Sequence, residues 1–83
     1  MMPEMLMPRQ CKAARALLDW RQRDLSHASG VALSTIRDFE AERHQLGTKG
    51  VSAIVKAFQK NGLTLMFDDK NGGVGVRFAE AAE

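Results

Sequence analysis

The chain contains few of the residues that form disulfide frameworks, metal sites or membrane spans. Its 83 residues include one cysteine, no tyrosine and two prolines. Cys11 therefore cannot close an internal disulfide, and neither His27 nor His44 stands at a metal-ligand spacing from it, so we expect no metal or other cofactor and a reducing, cytoplasmic setting. Because no apolar run reaches the roughly 18 residues that cross a bilayer, we expect no membrane partner.

Charge and length allow one small domain that can bind nucleic acid. The formal net charge is +2 and the isoelectric point is near 9.0, much milder than in a histone-like protein. Any affinity for DNA must therefore come from basic residues clustered on one surface. A chain of this length can bury one small core and has no room for a second domain.

Motifs for catalysis are missing. The sequence has no glycine-rich phosphate loop before a helix, and its serines, histidines and cysteine give no recognisable catalytic triad. The adjacent carboxylates Asp68 and Asp69 stand beside Lys70 in a polar stretch, where we expect a solvated turn. The sequence therefore predicts that the protein is not an enzyme.

Apolar residues recur at helical spacing at the start of the chain. A first helix is expected from Pro8 to about Asp19, because proline is tolerated in a first turn. Its apolar positions are Cys11, Ala14, Leu17 and Leu18. We expect the ring of Trp20 to close the small core where this helix meets the next.

The middle of the chain has the layout of a helix-turn-helix. Helices are expected over residues 22–29 and 33–42, because each carries apolar residues three positions apart. The two pairs are Leu25 with Ala28 and Ile36 with Phe39. Gly30 can adopt the left-handed conformation that ends the first helix, and Val31 is expected to point inward. The outer face of the second helix stays free.

A fourth helix and a hairpin are expected in the last third. After a polar loop over residues 43–50, an i, i+3, i+4, i+7 pattern predicts a core-facing helix that ends at Asn61 and Gly62. Its apolar positions are Val51, Ile54, Val55 and Phe58. After Gly62 the apolar residues alternate on both sides of the sequence KNGG, which predicts a β-hairpin.

The spacing of nine residues is typical of one protein family. They are Arg15, Gln22, Leu25, Ala28, Gly30, Val31, Thr35, Ile36 and Glu40. With them, the segment from about Arg9 to Gly62 resembles the Xre/Cro-type helix-turn-helix family of small prokaryotic and phage DNA-binding regulators. The resemblance implies a mainly α fold. A four-helix, lambda-repressor-like core over 9–62 would follow a flexible tail over 1–8 and precede a C-terminal β-hairpin and tail over 63–83.

The resemblance also implies a surface for double-stranded DNA. In this family the second helix of the motif lies in the major groove, and neighbouring donors bind phosphates. The implied DNA-binding residues are Gln22, Leu33, Ser34, Thr35, Arg37 and Asp38, with Arg21 and Arg43 beside them. Ser34 can hydrogen-bond to any base, and Arg37 can reach a guanine or a phosphate. The expected function is a repressor-like, sequence-specific transcriptional regulator.

Several positions depart from the family pattern. Leu33 cannot form a hydrogen bond, and Asp38 places a carboxylate where relatives carry an uncharged or basic side chain. Ala32 stands where a Ser or Thr usually caps the helix, at a cost of about 1 kcal/mol. These departures keep an alternative open: a protein-binding module of the same fold, such as an antiactivator that masks a transcription factor or the antitoxin of a toxin pair.

Two further sets of residues have expected structural roles. By resemblance, Arg15 and Glu40 form a partly buried salt bridge that joins helix 1 to the end of helix 3. The hairpin is a candidate interface, since two strands alone are marginally stable. Its candidate interface residues are Leu65, Phe67, Val74, Val76 and Phe78. They would pair with a second copy or with another protein, or else pack on helices 1 and 4 of the same chain.

Overall fold

Four helices and a two-stranded antiparallel sheet make up the part of the chain that the computed structural model describes, residues 5–79. The elements are α1 (Pro8–Leu18), α2 (Gln22–Ser29), α3 (Leu33–Glu40), α4 (Thr48–Lys60), β1 (Leu63–Asp68) and β2 (Gly72–Phe78). This confirms the mainly helical fold with a C-terminal hairpin. Within these residues, no helix combines the length and the apolar character needed to cross a membrane.

A residue in the left-handed conformation follows each of the four helices, including Gly62 after α4 with a φ of 92°. Asp19 follows α1 with a φ of 58°, and Gly30 follows α2 with a φ of 78°. α3 ends at Glu40, two residues before the expected end, because Glu42 adopts a φ of 62° and the Arg43 amide then donates to the carbonyl of Asp38 at 2.8 Å. Such a backbone reversal leaves the chain free to turn toward α4.

The loop before α4 is shorter than expected. The sequence predicts a loop over residues 43–50, but α4 already begins at Thr48. The amide of Val51 donates to the carbonyl of Gly47 at 3.0 Å, which makes Gly47 the residue before the first turn. The apolar pattern does not predict this first turn, because Thr48 and Lys49 are polar and the first turn of a helix can lie in solvent.

The core lies between the helices and the inner face of the hairpin. Its largest fully buried side chains are Leu25, Ile36, Ile54, Phe58 and Leu63. Trp20 stacks on Phe58 with 5.9 Å between the ring centroids, and Val31 also packs against the core. Two expected core positions are wrong: Leu17 is 38% exposed, and Ala28 lies in solvent beside a shallow cleft against α4.

The segment before α1 also contributes to the core. Leu6 is 4% exposed, and the carbonyl of Met5 accepts a hydrogen bond from the amide of Gly73 at 2.8 Å. The expected tail over 1–8 is therefore wrong for residues 5–8. The apolar periodicity that predicts α1 begins inside the helix, so it gives no sign of a single buried leucine before it. Residues 1–4 lie outside the described part.

The hairpin packs on α1 and α4 of its own chain and contains a β-bulge. Leu63 pairs with Phe78 and Leu65 with Val76, and the register shifts between Met66 and Phe67. Val74 is the extra residue, since Met66 pairs with Gly75 and Phe67 with Gly73. A bulge of this kind interrupts the ladder and leaves backbone groups that need other partners.

Gln10 of α1 provides a partner at the bulge. Its side chain is 3% exposed, and Nε2 donates to the carbonyl oxygens of Met66 at 2.9 Å and Gly75 at 3.1 Å. Its Oε1 accepts from the amide of Met7 at 3.3 Å. A Cβ at Gly73 would collide with this carboxamide. Gln10 therefore joins the start of α1 to both strands.

We predict that Gln10→Ala lowers the free energy of unfolding by about 1–3 kcal/mol, because two partly buried carbonyls lose their donor. Urea denaturation monitored by circular dichroism measures this. Gln59→Ala is the matched control, since Gln59 is an exposed glutamine on α4. Equal losses in the two variants would show that the hairpin does not depend on Gln10.

Candidate nucleic-acid interface

A buried ion pair joins α1 to the end of α3. Glu40 is 2% exposed, and its two carboxylate oxygens accept from two nitrogens of Arg15. Nη2 lies 2.7 Å from Oε1, and Nε lies 2.8 Å from Oε2. The structure thus brings these two residues together in a bidentate geometry, which is stronger and more directional than a single contact.

Further donors complete the surroundings of Glu40. Nε2 of Gln22 donates to Oε1 at 3.0 Å, and Sγ of Cys11 donates to Oε2 at 3.1 Å. Nη1 of Arg15 donates to the carbonyl of Trp20 at 3.0 Å. We call Cys11, Arg15, Gln22 and Glu40 the carboxylate cluster. It fixes α1, α2 and α3 relative to one another.

The carboxylate cluster changes the expected role of Gln22 and adds Cys11. The resemblance implies that Gln22 contacts phosphate. In the structure its side-chain amide donates to Glu40 instead, because a buried carboxylate is stable only with hydrogen-bond donors around it. Cys11, expected to be a simple small apolar residue, also belongs to the cluster. Its position one turn before Arg15 on the same helix face was the available signal.

Burial and hydrogen bonding shift the pKa values in this cluster. Burial by itself would raise the pKa of Glu40, but the hydrogen bonds from Arg15, Gln22 and Cys11 outweigh it, and the pKa is lowered. The pKa of the Cys11 thiol is raised, first by burial and then by its hydrogen bond to Glu40. Glu40 is therefore the charged member and Cys11 a neutral donor.

The outer face of α3 is polar and open to solvent. Ser34, Thr35 and Arg37 are exposed, whereas Ile36 and Phe39 are buried. At about 100° per residue, the buried positions share one side of the helix and the exposed ones the other. Leu33 lies at the margin of the exposed side and Asp38 lies between Ser34 and Thr35 around the helix, and both are half-buried. The five α3 residues expected to contact DNA thus lie on or beside one face.

One arginine lies on this face, and two more lie directly before α2 and in the loop after α3. The guanidinium of Arg37 has no carboxylate within 4.0 Å among residues 5–79. Nη1 of Arg43 lies 3.7 Å from Oδ1 of Asp38, and Nε of Arg21 lies 3.7 Å from Oδ2 of Asp24. Because exposed pairs of this kind contribute little, both guanidinium groups can exchange their partner for a phosphate at small cost.

The hairpin residues expected at an interface fall into two groups. Leu65 is buried, and Phe67 and Val76 pack against the core of the same chain. They are committed to intrachain packing because the inward face of the hairpin covers the helices. Val74 and Phe78 are each 55% exposed and are free to contact another molecule.

No family model matches the chain, and no curated protein is significantly similar to it. The functional interpretation therefore depends on the α3 face, the arginines around it and the exposed hairpin residues.

We predict that Glu40→Gln lowers the free energy of unfolding by about 3 kcal/mol at pH 7, since it leaves the Arg15 charge without its partner. Glutamate titrates near pH 4.3 in an unfolded chain, and folding lowers the pKa of Glu40. Its stabilising effect is therefore present above about pH 4.3 and is lost as the pH falls through the folded pKa.

Urea denaturation from pH 7 down to pH 3 tests this pH dependence. The free energies of the original protein and Glu40→Gln should converge at the acidic end. Glu42→Gln is the control, because Glu42 is exposed and only two residues away. A difference at pH 7 that stays constant on acidification would contradict a charged Glu40.

Proposed function

We propose that this protein is a small sequence-specific DNA-binding transcriptional regulator of the Xre/Cro type, with a lambda-repressor-like helical core. The observation that supports it best is the α3 face. Ser34, Thr35 and Arg37 point away from the core, whereas Ile36 and Phe39 anchor the opposite side. A helix fixed in this way presents hydrogen-bonding groups without losing core contacts.

The dimensions of α3 suit the major groove of B-DNA. An α-helix with its side chains is about 10–12 Å across, and the major groove is about 12 Å wide, so one helix can enter it. In the proposed complex, Ser34 and Arg37 meet base edges, and Arg21 and Arg43 bind phosphates beside the groove. The phosphate contacts set the register, and the base contacts select the sequence.

Asp38 and Leu33 would narrow the set of operators. A carboxylate in the groove repels phosphates, but it can accept a hydrogen bond from N4 of cytosine. Leu33 would contact the methyl group of a thymine. The proposed site therefore favours a cytosine and a thymine near its centre.

We further propose that the regulator acts as a homodimer on a two-fold-related operator. Val74 and Phe78 on the hairpin are each 55% exposed, and Met66 is 39% exposed. Exposed apolar residues grouped on one element are typical of an interaction surface. Two copies joined through the hairpin would place two α3 helices at half-sites about one helical turn apart, roughly 34–36 Å.

A protein-binding role for the α3 face is the second candidate. The observation that favours it is that Leu33 and Asp38, both half-buried, are apolar and acidic. A helix that binds DNA has higher affinity with neutral or basic hydrogen-bond donors at such positions. In this case the partner would be a transcription factor or a toxin, and binding would depend little on salt.

Selection from a randomised duplex library at about 0.15 M salt tests the leading proposal, because specific binders typically hold nanomolar or tighter affinity there. We expect enrichment of a palindromic motif. Enrichment of no sequence by the folded protein would favour the protein-binding candidate.

We predict that Arg37→Ala reduces affinity for the selected duplex by about tenfold or more, since a good bidentate base contact is worth about 1–3 kcal/mol. The midpoint of thermal unfolding should stay unchanged, because Arg37 is exposed. Lys60→Ala, at the far end of α4, is the control and should bind normally. Fluorescence anisotropy at several salt concentrations measures both variants.

We predict that Phe78→Ser combined with Val74→Ser shifts the protein from dimer toward monomer, because each removes an exposed apolar side chain from the hairpin. Sedimentation equilibrium measures the change, and the circular dichroism spectrum should be retained. Val76 is unsuitable for this test because it packs against the core. A monomeric original protein would rule out hairpin-mediated pairing.

A further inference from the structure

We propose that a groove beside α4 binds an acidic amphipathic helix of a partner protein. The groove encloses about 910 Å³ between the segment before α1, the loop after α3 and one side of α4. Its apolar floor consists of Leu6, Met7, Phe39, Leu46, Val51 and Val55. Ser34, Thr35 and Arg37 do not line it, and Arg43 is the one residue that it shares with the proposed DNA contacts, so the inference does not depend on the DNA-binding proposal.

The floor explains why the occupant is apolar on one side. Leu46 and Val51 are half-buried and pack against the core from the groove, and Val55 is 6% exposed. Exposed Met5 also lines the groove and lies beside Gly72 of the hairpin. A concave apolar surface of this kind binds the apolar face of a helix through residues at i, i+3, i+4 and i+7.

The charges around the groove explain why the occupant is acidic. Lys56 lines the groove on the α4 side, and Arg43 lines it on the loop side. Lys49 and Lys60 do not line the groove but lie within about 40° of Lys56 around α4, beside the cleft between α4 and α2. α4 contains no acidic residue, and Glu42 is the one acidic residue in the groove lining.

A second copy of the chain does not supply such a helix from its described residues. α1 and α4 contain no Asp or Glu. In α3, Glu40 is buried, and Oδ1 of Asp38 lies 3.7 Å from Nη1 of Arg43 of the same chain. The acidic residue of α2, Asp24, already accepts from the amide of Arg21 at 2.8 Å. A phosphate backbone would match the lysines but would leave the apolar floor without a contact. The combination therefore fits a different protein.

Two synthetic peptides of about four helical turns test the proposal with the full chain. One carries leucine at i, i+3, i+4 and i+7 and glutamate elsewhere, and the other carries lysine in place of glutamate. We expect the acidic peptide to bind in fluorescence anisotropy at least about tenfold more tightly than the basic one, since several weak ion pairs add. It should shift the amide NMR signals of Leu46, Val51 and Val55.

Charge reversal on α4 provides a second measurement that leaves the fold intact. Lys56 is exposed, and Lys56→Glu should weaken binding of the acidic peptide by about threefold or more. Lys70→Glu in the hairpin turn, also exposed and not part of the groove lining, is the matched control and should not change the affinity.

Four results would overturn the proposal. In the anisotropy measurement, these are failure of both peptides to bind the folded protein and equal binding of the two peptides. In the NMR measurement, they are peptide-induced shifts confined to the hairpin, and shifts of the groove residues on adding duplex DNA but not on adding the acidic peptide. Concentration-dependent shifts of the groove signals without peptide would assign the groove to a second copy instead.

Discussion

The position of three helices depends on the buried carboxylate of Glu40. A charge that is 2% exposed is unstable without donors, and here donors arrive from α1 and α2 while the acceptor belongs to α3. The bidentate pair with Arg15 sets the distance between α1 and the last turn of α3. The apolar contacts of Ile36 and Phe39 then hold α3 with its polar side outward.

A second buried polar side chain, Gln10, has the same effect on the hairpin. Gln10 and Glu40 are the two buried polar or charged residues among those described, and no buried side-chain nitrogen or oxygen there is without a partner. Apolar contacts tolerate small shifts, whereas hydrogen bonds require one geometry. In a core this small, two fully bonded polar groups therefore select one arrangement of helices and hairpin.

The sequence predicts the parts of the fold that depend on local patterns. Apolar spacing places the four helices and the alternation of the hairpin, and Gly30 marks the break between α2 and α3. It does not predict the early end of α3, because the left-handed Glu42 has no glycine to signal it. The sequence does not predict the contact of Gln10 with the bulge either. The two carbonyls that Gln10 binds belong to Met66, which is 56 positions away along the chain, and to Gly75, which is 65 positions away.

The candidate site shows the same division between pattern and packing. Position in the motif identifies Ser34, Thr35 and Arg37 as outward, and the structure leaves them there. Position alone also assigns Gln22 to DNA, but its amide donates to Glu40. Loss of DNA binding on changing Gln22 would therefore follow from displacement of α2 and α3 as readily as from a lost phosphate contact. Arg37 is informative because its side chain makes no hydrogen bond or ion pair within the described residues, so its removal changes the surface and leaves the carboxylate cluster intact.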